Sequence, residues 1–149
     1  MKRTMLIIMM LYPLYLIAQK KDINELNVPA EVRKVFLERF TDAKNKFWKT
    51  KNGAYEVDFN LNSNKFEAKF DGDGTWKKTT KNISRSAVPE LVINKWKASE
   101  YGKWILDKTQ QVSTPDYKDL YLLRLIKGRT ELEILYDDKG EIMKMKEKI

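Results

Sequence analysis

The sequence predicts an α+β protein made by tandem duplication of a unit of one helix and four antiparallel strands. Three observations carry this. Residues 55–76, YEVDFNLNSNKFEAKFDGDGTW, recur in pattern as residues 121–142, YLLRLIKGRTELEILYDDKGEI, at a constant offset of 66 positions. Within each copy apolar residues alternate with polar ones: Tyr55, Val57, Phe59, Leu61, Phe66, Ala68, Phe70 and Trp76 in the first, and Tyr121, Leu123, Leu125, Leu132, Ile134, Tyr136 and Ile142 in the second. That is the period of a half-buried strand. Each set is preceded by a Val-Pro helix start, at Val28-Pro29 and Val88-Pro89. An internal repeat fixes architecture before any motif does, and it does not fix activity.

In chain order, residues 1–18 read as a secretory signal peptide: Lys2 and Arg3 are followed by an apolar run broken at Pro13 and by a small-residue cleavage position at Ala18-Gln19. The run is too short for a bilayer-spanning helix. Residues 19–27 form a polar lead. The first unit, 28–81, opens at Pro29, which suits the first helical position because its missing N–H has no partner there. Val32, Val35, Phe36 and Phe40 recur at helical spacing and form one apolar face. A strand through Phe47-Trp48-Lys49 then reaches Asn52-Gly53, a dipeptide suited to a two-residue type I′ turn. This turn sets Trp48 opposite Val57 on the buried face and leaves Phe47 pointing away beside Asp58. The next turn is expected to centre on Ser63-Asn64, bringing Leu61 opposite Phe66. Asp71-Gly72-Asp73-Gly74 reads as a turn closed by a left-handed glycine that sets Phe70 opposite Trp76.

The second unit, 82–149, repeats this order, with Val92, Trp96 and Tyr101 on the inner face. The offset is 60 at the helix and 66 in the hairpins, so about six residues have been inserted, at the loop through Pro115. Gly128-Arg129 makes a glycine-first turn, and Asp138-Lys139-Gly140 repeats the turn of the first unit.

The 149 residues suit one domain overall, and the export signal implies a periplasmic or extracellular protein with no stable membrane anchor after cleavage. Cysteine is absent, so packing alone must stabilise the exported chain. The formal net charge is +8, and +6 once Lys2 and Arg3 are removed. These charges are spread among acids along the chain, the pattern of a solvated surface. Nucleic-acid binding asks for a clustered basic stripe, so no nucleic-acid partner is expected.

Several residue sets together carry a resemblance: the Val-Pro helix start, Phe40, Ala43 and Trp48 in a Phe-x-x-Ala-x-x-x-x-Trp approach, Tyr-Glu-Val-x-Phe from Tyr55, and Phe-Glu-Ala-x-Phe-Asp-x-x-Gly-x-Trp from Phe66. With the degenerate second copy they resemble the PepSY-like, β-lactamase-inhibitor-like exported proteins of Bacteroidetes over essentially the whole mature chain. The resemblance implies one curved antiparallel sheet with the helices packed on one face. It implies no biochemical activity. The acidic loop by which a true β-lactamase inhibitor blocks its target has no counterpart here that aligns, so no residue role is carried over.

Histidine and cysteine are both missing, which removes the commonest acid–base group, the thiol nucleophile and most transition-metal sites. No Ser-x-x-Lys, Gly-x-Ser-x-Gly or phosphate-binding glycine loop occurs. Glu131 and Glu133 are expected on an exposed strand face opposite Arg124 and Ile126, where ion pairing is their ordinary use. Asp71-x-Asp73-x-Thr75 resembles the opening of a calcium loop, but its sixth position is Trp76 and its twelfth Asn82. Trp48, Trp76 and Trp96 fall on core faces. The expectation is a protein that is not an enzyme, with no catalytic residue, metal site or cofactor.

Two readings remain ahead of calcium binding: a periplasmic module that engages a protein partner through its sheet face or loops, or an envelope protein that self-associates. The outward positions of the first copy, Glu56, Asp58, Asn60, Lys65, Glu67 and Lys69, are polar. Those of the second include Leu120, Leu122, Ile126, Leu135, Met143 and Met145. Expected registers pair Leu122 with Leu135 and Leu135 with Met143, so three apolar side chains cross adjacent strands on the side away from the helices. These six residues are the candidate protein-contact surface. The alternative is that the loop near Pro115, sheet curvature or the chain ends cover them.

Overall fold

Alternating strands joined by tight turns can pair only with their chain neighbours, and a meander results. In the computed structural model, which describes residues 19–148, the elements follow in the order β1 (Lys21–Ile23), α1 (Ala30–Arg39), β2 (Lys44–Lys51), β3 (Ala54–Leu61), β4 (Asn64–Asp71), β5 (Trp76–Asn82), α2 (Glu90–Ala98), β6 (Ile105–Ser113), β7 (Leu120–Lys127), β8 (Thr130–Tyr136) and β9 (Ile142–Lys148). All nine strands form one open antiparallel sheet in chain order. The signal-peptide reading concerns residues 1–18, which lie outside the described residues.

Each helix is short, and helices of this length are marginal in isolation, so packing must hold them. Val32 and Phe36 of α1 are fully buried against Trp48, Val57, Phe59, Ala68 and Phe70. Phe36 meets the rings of Trp48, Phe59 and Phe70 edge-on at centroid distances of 5.3, 5.1 and 6.3 Å, the arrangement aromatic quadrupoles favour. Val92, Ile93 and Trp96 of α2 pack in the same way on Leu123, Leu125, Leu132, Ile134 and Tyr136. Pairing carries one sheet face across the junction: Ala68 opposes Thr79, Thr79 opposes Ser113, and Gln111, two residues along β6, opposes Tyr121. Both helices therefore lie on the same side of the sheet.

The turns after β4 and β8 tuck beneath the helices. Gly74, at φ 90°, leaves so little room that an added Cβ would sit 3.1 Å from the Glu31 carbonyl oxygen, and a Cβ on Gly140, at φ 76°, would sit 2.9 Å from Cγ of Lys95. Only glycine combines the left-handed backbone with that approach. Asp73 accepts the Thr75 amide at 2.9 Å, and Asp137 accepts those of Lys139 and Glu141 at 3.0 and 2.8 Å. In the motif that resembled a calcium loop, then, Asp73 caps a turn, and Asp71 pairs with Lys77 at 3.0 Å.

Three expectations need correction. The polar lead contains a strand, β1, whose Ile23 pairs with Trp48. The turn after β3 is Asn62-Ser63, both at positive φ (48° and 63°), so Leu61 pairs with Asn64 and Phe59 with Phe66. This moves the pairing by two residues and leaves every side chain on its expected face. Finally, the register of β8 and β9 shifts between Leu135 and Tyr136, so Leu135 pairs with Lys144 and Ile134 with Met145. Met143 is the extra residue of a β-bulge, which the fixed-register count cannot contain.

Candidate functional site: the sheet face away from the helices

Strand alternation sends Phe47 of β2, Asp58 and Asn60 of β3, Lys65 and Glu67 of β4, Thr80 and Asn82 of β5, and Lys108 and Gln110 of β6 to the face opposite the helices. These side chains line one cavity of about 600 Å³. A flat sheet would hold β2 and β6 about 19 Å apart, so a single cavity bounded by both means that this face is concave. Phe59 and Phe66 also border this mostly polar hollow, and Phe47 stands 67% exposed in it. It stands beyond the end of β1, which covers only Trp48 to Thr50 of β2.

Electrostatically the hollow is mixed and largely self-neutralised. Lys49 hydrogen-bonds Asp58 beside Phe47, and this bond raises the lysine above its ordinary pKa. Lys20 pairs with Glu56 and is raised for the same reason. Gln110 donates to Asn82 at 2.8 Å across the β5–β6 junction. The Thr80 hydroxyl is buried there without a protein hydrogen-bond partner.

The six candidate contact residues distribute unevenly. Leu122 and Leu135 pair as expected and are half-buried. Leu120 is buried at 3% exposure, and it lines a cavity of about 410 Å³ with Leu135, Met143, Pro115 and Tyr117. Met143 and Met145 are exposed, but Met145 opposes Ile134 and so belongs to the helix side of edge strand β9. Ile126 is cut off from Leu122 by Arg124, which approaches Glu133 at 3.4 Å, Glu131 at 3.6 Å and Asp107 at 3.9 Å. Lys148 closes this network onto Glu131 and Glu133 at 2.9 and 3.1 Å. The row Leu122–Leu135–Met143 is thus really Leu122–Leu135–Lys144, interrupted by charge.

The Lys148 hydrogen bond holds Glu131 below the ordinary carboxylate range, so it stays anionic at neutral pH and is a poor proton shuttle. Among the described residues, no group of three or more acidic side chains is placed to hold a metal ion. The hollow was only partly legible: alternation names Phe47 and its polar neighbours, but that they converge depends on sheet curvature, which no local pattern encodes.

No helix among the described residues is long and apolar enough to cross a membrane. No curated protein matches the chain. Among solved structures the fold is similar to a DUF2874 family protein from Bacteroides uniformis, 24% identical over 80% of this chain and 88% of that one, with a TM-score of 0.72. A protein from Bacteroides eggerthii described as "putative periplasmic" is similar at 21% identity, 80% and 88% coverage and a TM-score of 0.72. A BLIP-like protein from Bacteroides fragilis is similar at 17% identity, 80% and 86% coverage and a TM-score of 0.70. At such identities the likeness speaks for the fold alone. A family model described as "Putative beta-lactamase-inhibitor-like, PepSY-like" matches residues 53–144, and its description names no catalytic activity. The chain belongs to the PepSY-like, β-lactamase-inhibitor-like family.

Proposed function

We propose that the protein is a non-enzymatic periplasmic binding module whose partner is another protein, seated on the concave sheet face. The observation that carries this reading is Phe47, the aromatic ring 67% exposed in a hollow lined mostly by polar side chains. Aromatic anchors ringed by polar side chains are the usual energetic centres of protein contacts. The absence of histidine and cysteine supports the non-enzymatic part. The signal-like character of residues 1–18 and the periplasmic description of the Bacteroides eggerthii relative support the compartment. The test is capture from envelope extract with the mature chain and its Phe47→Asp variant. One discrete protein should be retained by the wild type and reduced at least tenfold with the variant, at unchanged circular dichroism. Equal capture by both would overturn the reading.

Self-association is the second reading, favoured by the exposed Ile142, Met143 and Met145 on edge strand β9. Its three lysines, Lys144, Lys146 and Lys148, oppose it, since like charges on an edge discourage pairing with a copy of itself. Light scattering on the mature chain separates the two.

The same proposal takes the chain as two copies of one α-β4 unit, residues 28–81 and 82–149. Supporting it, the β3–β4 pair Tyr55–Phe70 and the β7–β8 pair Tyr121–Tyr136 differ by 66 on both strands. The bulges after Trp76 and Ile142 keep that offset, and so do the glycines packed beneath the two helices.

A further inference from the structure

The helices leave the middle of the sheet uncovered on their own side. α1 closes over β2–β4 and α2 over β7–β8, while Thr79, Lys81, Gln111 and Ser113 on β5 and β6 belong to neither core. The wall of this gap on the α1 side is apolar and incompletely covered: Val35 of α1, Phe40 just after it, Phe66 of β4 and Trp76 of β5 pack on the first core while remaining partly exposed. The loop after β6 forms the facing wall. It is held by its own hydrogen bonds, from the Thr114 amide to the Tyr117 carbonyl at 2.7 Å and from the Ser113 hydroxyl to the Lys118 carbonyl at 2.6 Å. Between the walls lies a cleft of about 860 Å³, within the size range of small-molecule sites.

Its charge is one-signed. Arg39 and Lys118 line it, and no aspartate or glutamate does. Neither cation takes part in an ion pair among the described residues. The Arg39 guanidinium lies 3.9 Å from the centroid of the Trp76 ring, and Trp76 is itself fixed by donating its indole N–H to Thr79 at 3.0 Å. A guanidinium stacked on an immobilised ring is already positioned to pair with an anion, which reduces the ordering cost of binding.

We propose that this cleft binds a small amphiphilic organic anion with a flat apolar body and a single carboxylate or sulfonate. Trp76, Phe40 and Phe66 take the body. Arg39 and Lys118 take the charge. A neutral apolar molecule would leave both cations unpaired, and a compact polyanion would leave the rings without contact. The site opens on the helix side and shares only Phe66 with the hollow around Phe47, so its failure would leave the protein-binding reading untouched.

Two fluorescent probes of one ring type test it on the mature chain: 8-anilinonaphthalene-1-sulfonate, and N-phenyl-1-naphthylamine, which lacks the sulfonate. The anionic probe should bind saturably with one-to-one stoichiometry. Arg39→Gln combined with Lys118→Gln, both at exposed positions, should weaken it at least tenfold while changing the neutral probe less than twofold. Phe47→Ala, on the opposite face, should change neither. The proposal fails if no saturable site appears, if the doubly neutralised variant binds the anionic probe as the wild type does, or if Phe47→Ala abolishes binding.

Discussion

Phe70 and Lys69 are adjacent in β4 and face opposite worlds. Phe70 is fully buried, opposite Trp76 and against Phe36, whereas Lys69 points to the concave face. Phe70→Ala should cost about 3–5 kcal/mol, the range for truncating a buried aromatic ring. Lys69→Ala should cost less than about 1 kcal/mol. Urea melts of the two variants check this, and equal costs would mean that the faces have been assigned wrongly. At this scale the sequence was highly informative, because burial in a strand follows a two-residue period: Trp48, Val57, Phe59, Ala68 and Phe70 all fall where alternation puts them. Phe47 was legible only as an outward aromatic. Nothing local distinguishes an isolated exposed ring from one standing in a hollow.

Elements were legible where turn chemistry is strict. Asn52-Gly53 and Gly128-Arg129 give the expected two-residue connections, with Gly53 and Gly128 at positive φ. Asn62-Ser63 was misplaced because a serine at positive φ carries no glycine-like signal, and the bulge at Met143 because an extra residue leaves no mark in an alternating pattern. That bulge also decides which β9 side chains share a face, and it brings Lys144, Lys146 and Lys148 to the concave side. Lys148 docks the end of β9 onto Glu131 and Glu133, and these bonds raise its pKa while lowering that of Glu131. For the depressed carboxylate, the stabilisation is present above its unfolded pKa and is lost as pH falls through the folded one. For the raised lysine it is present below the unfolded value and is lost as pH rises through the folded one. The melting-temperature difference between wild type and Lys148→Met should therefore be present at pH 7 and shrink towards both pH extremes. A difference independent of pH would remove the ion pairs from the account. The effect will be small, since the pairs are solvent-exposed.

Among the described residues of the whole molecule, two helices on one side of a nine-stranded sheet leave the other side uncovered and concave. The α+β class and the order of elements after β1 followed from periodicity and from the paired Val-Pro starts. Curvature was implied only by the family resemblance and could not be read from periodicity, because it sums small twists over many strands. The central claim is that this concave face, through Phe47, is where the partner sits. A photo-cross-linking residue, p-benzoylphenylalanine, placed at position 47 addresses it most directly, with position 37 as control: Leu37 is 48% exposed on α1, on the helix side of the sheet. Irradiation of the mature chain in envelope extract should give one adduct of discrete mass from position 47 and none from position 37. No adduct at 47, or the same adduct at equal yield from 37, would contradict the claim.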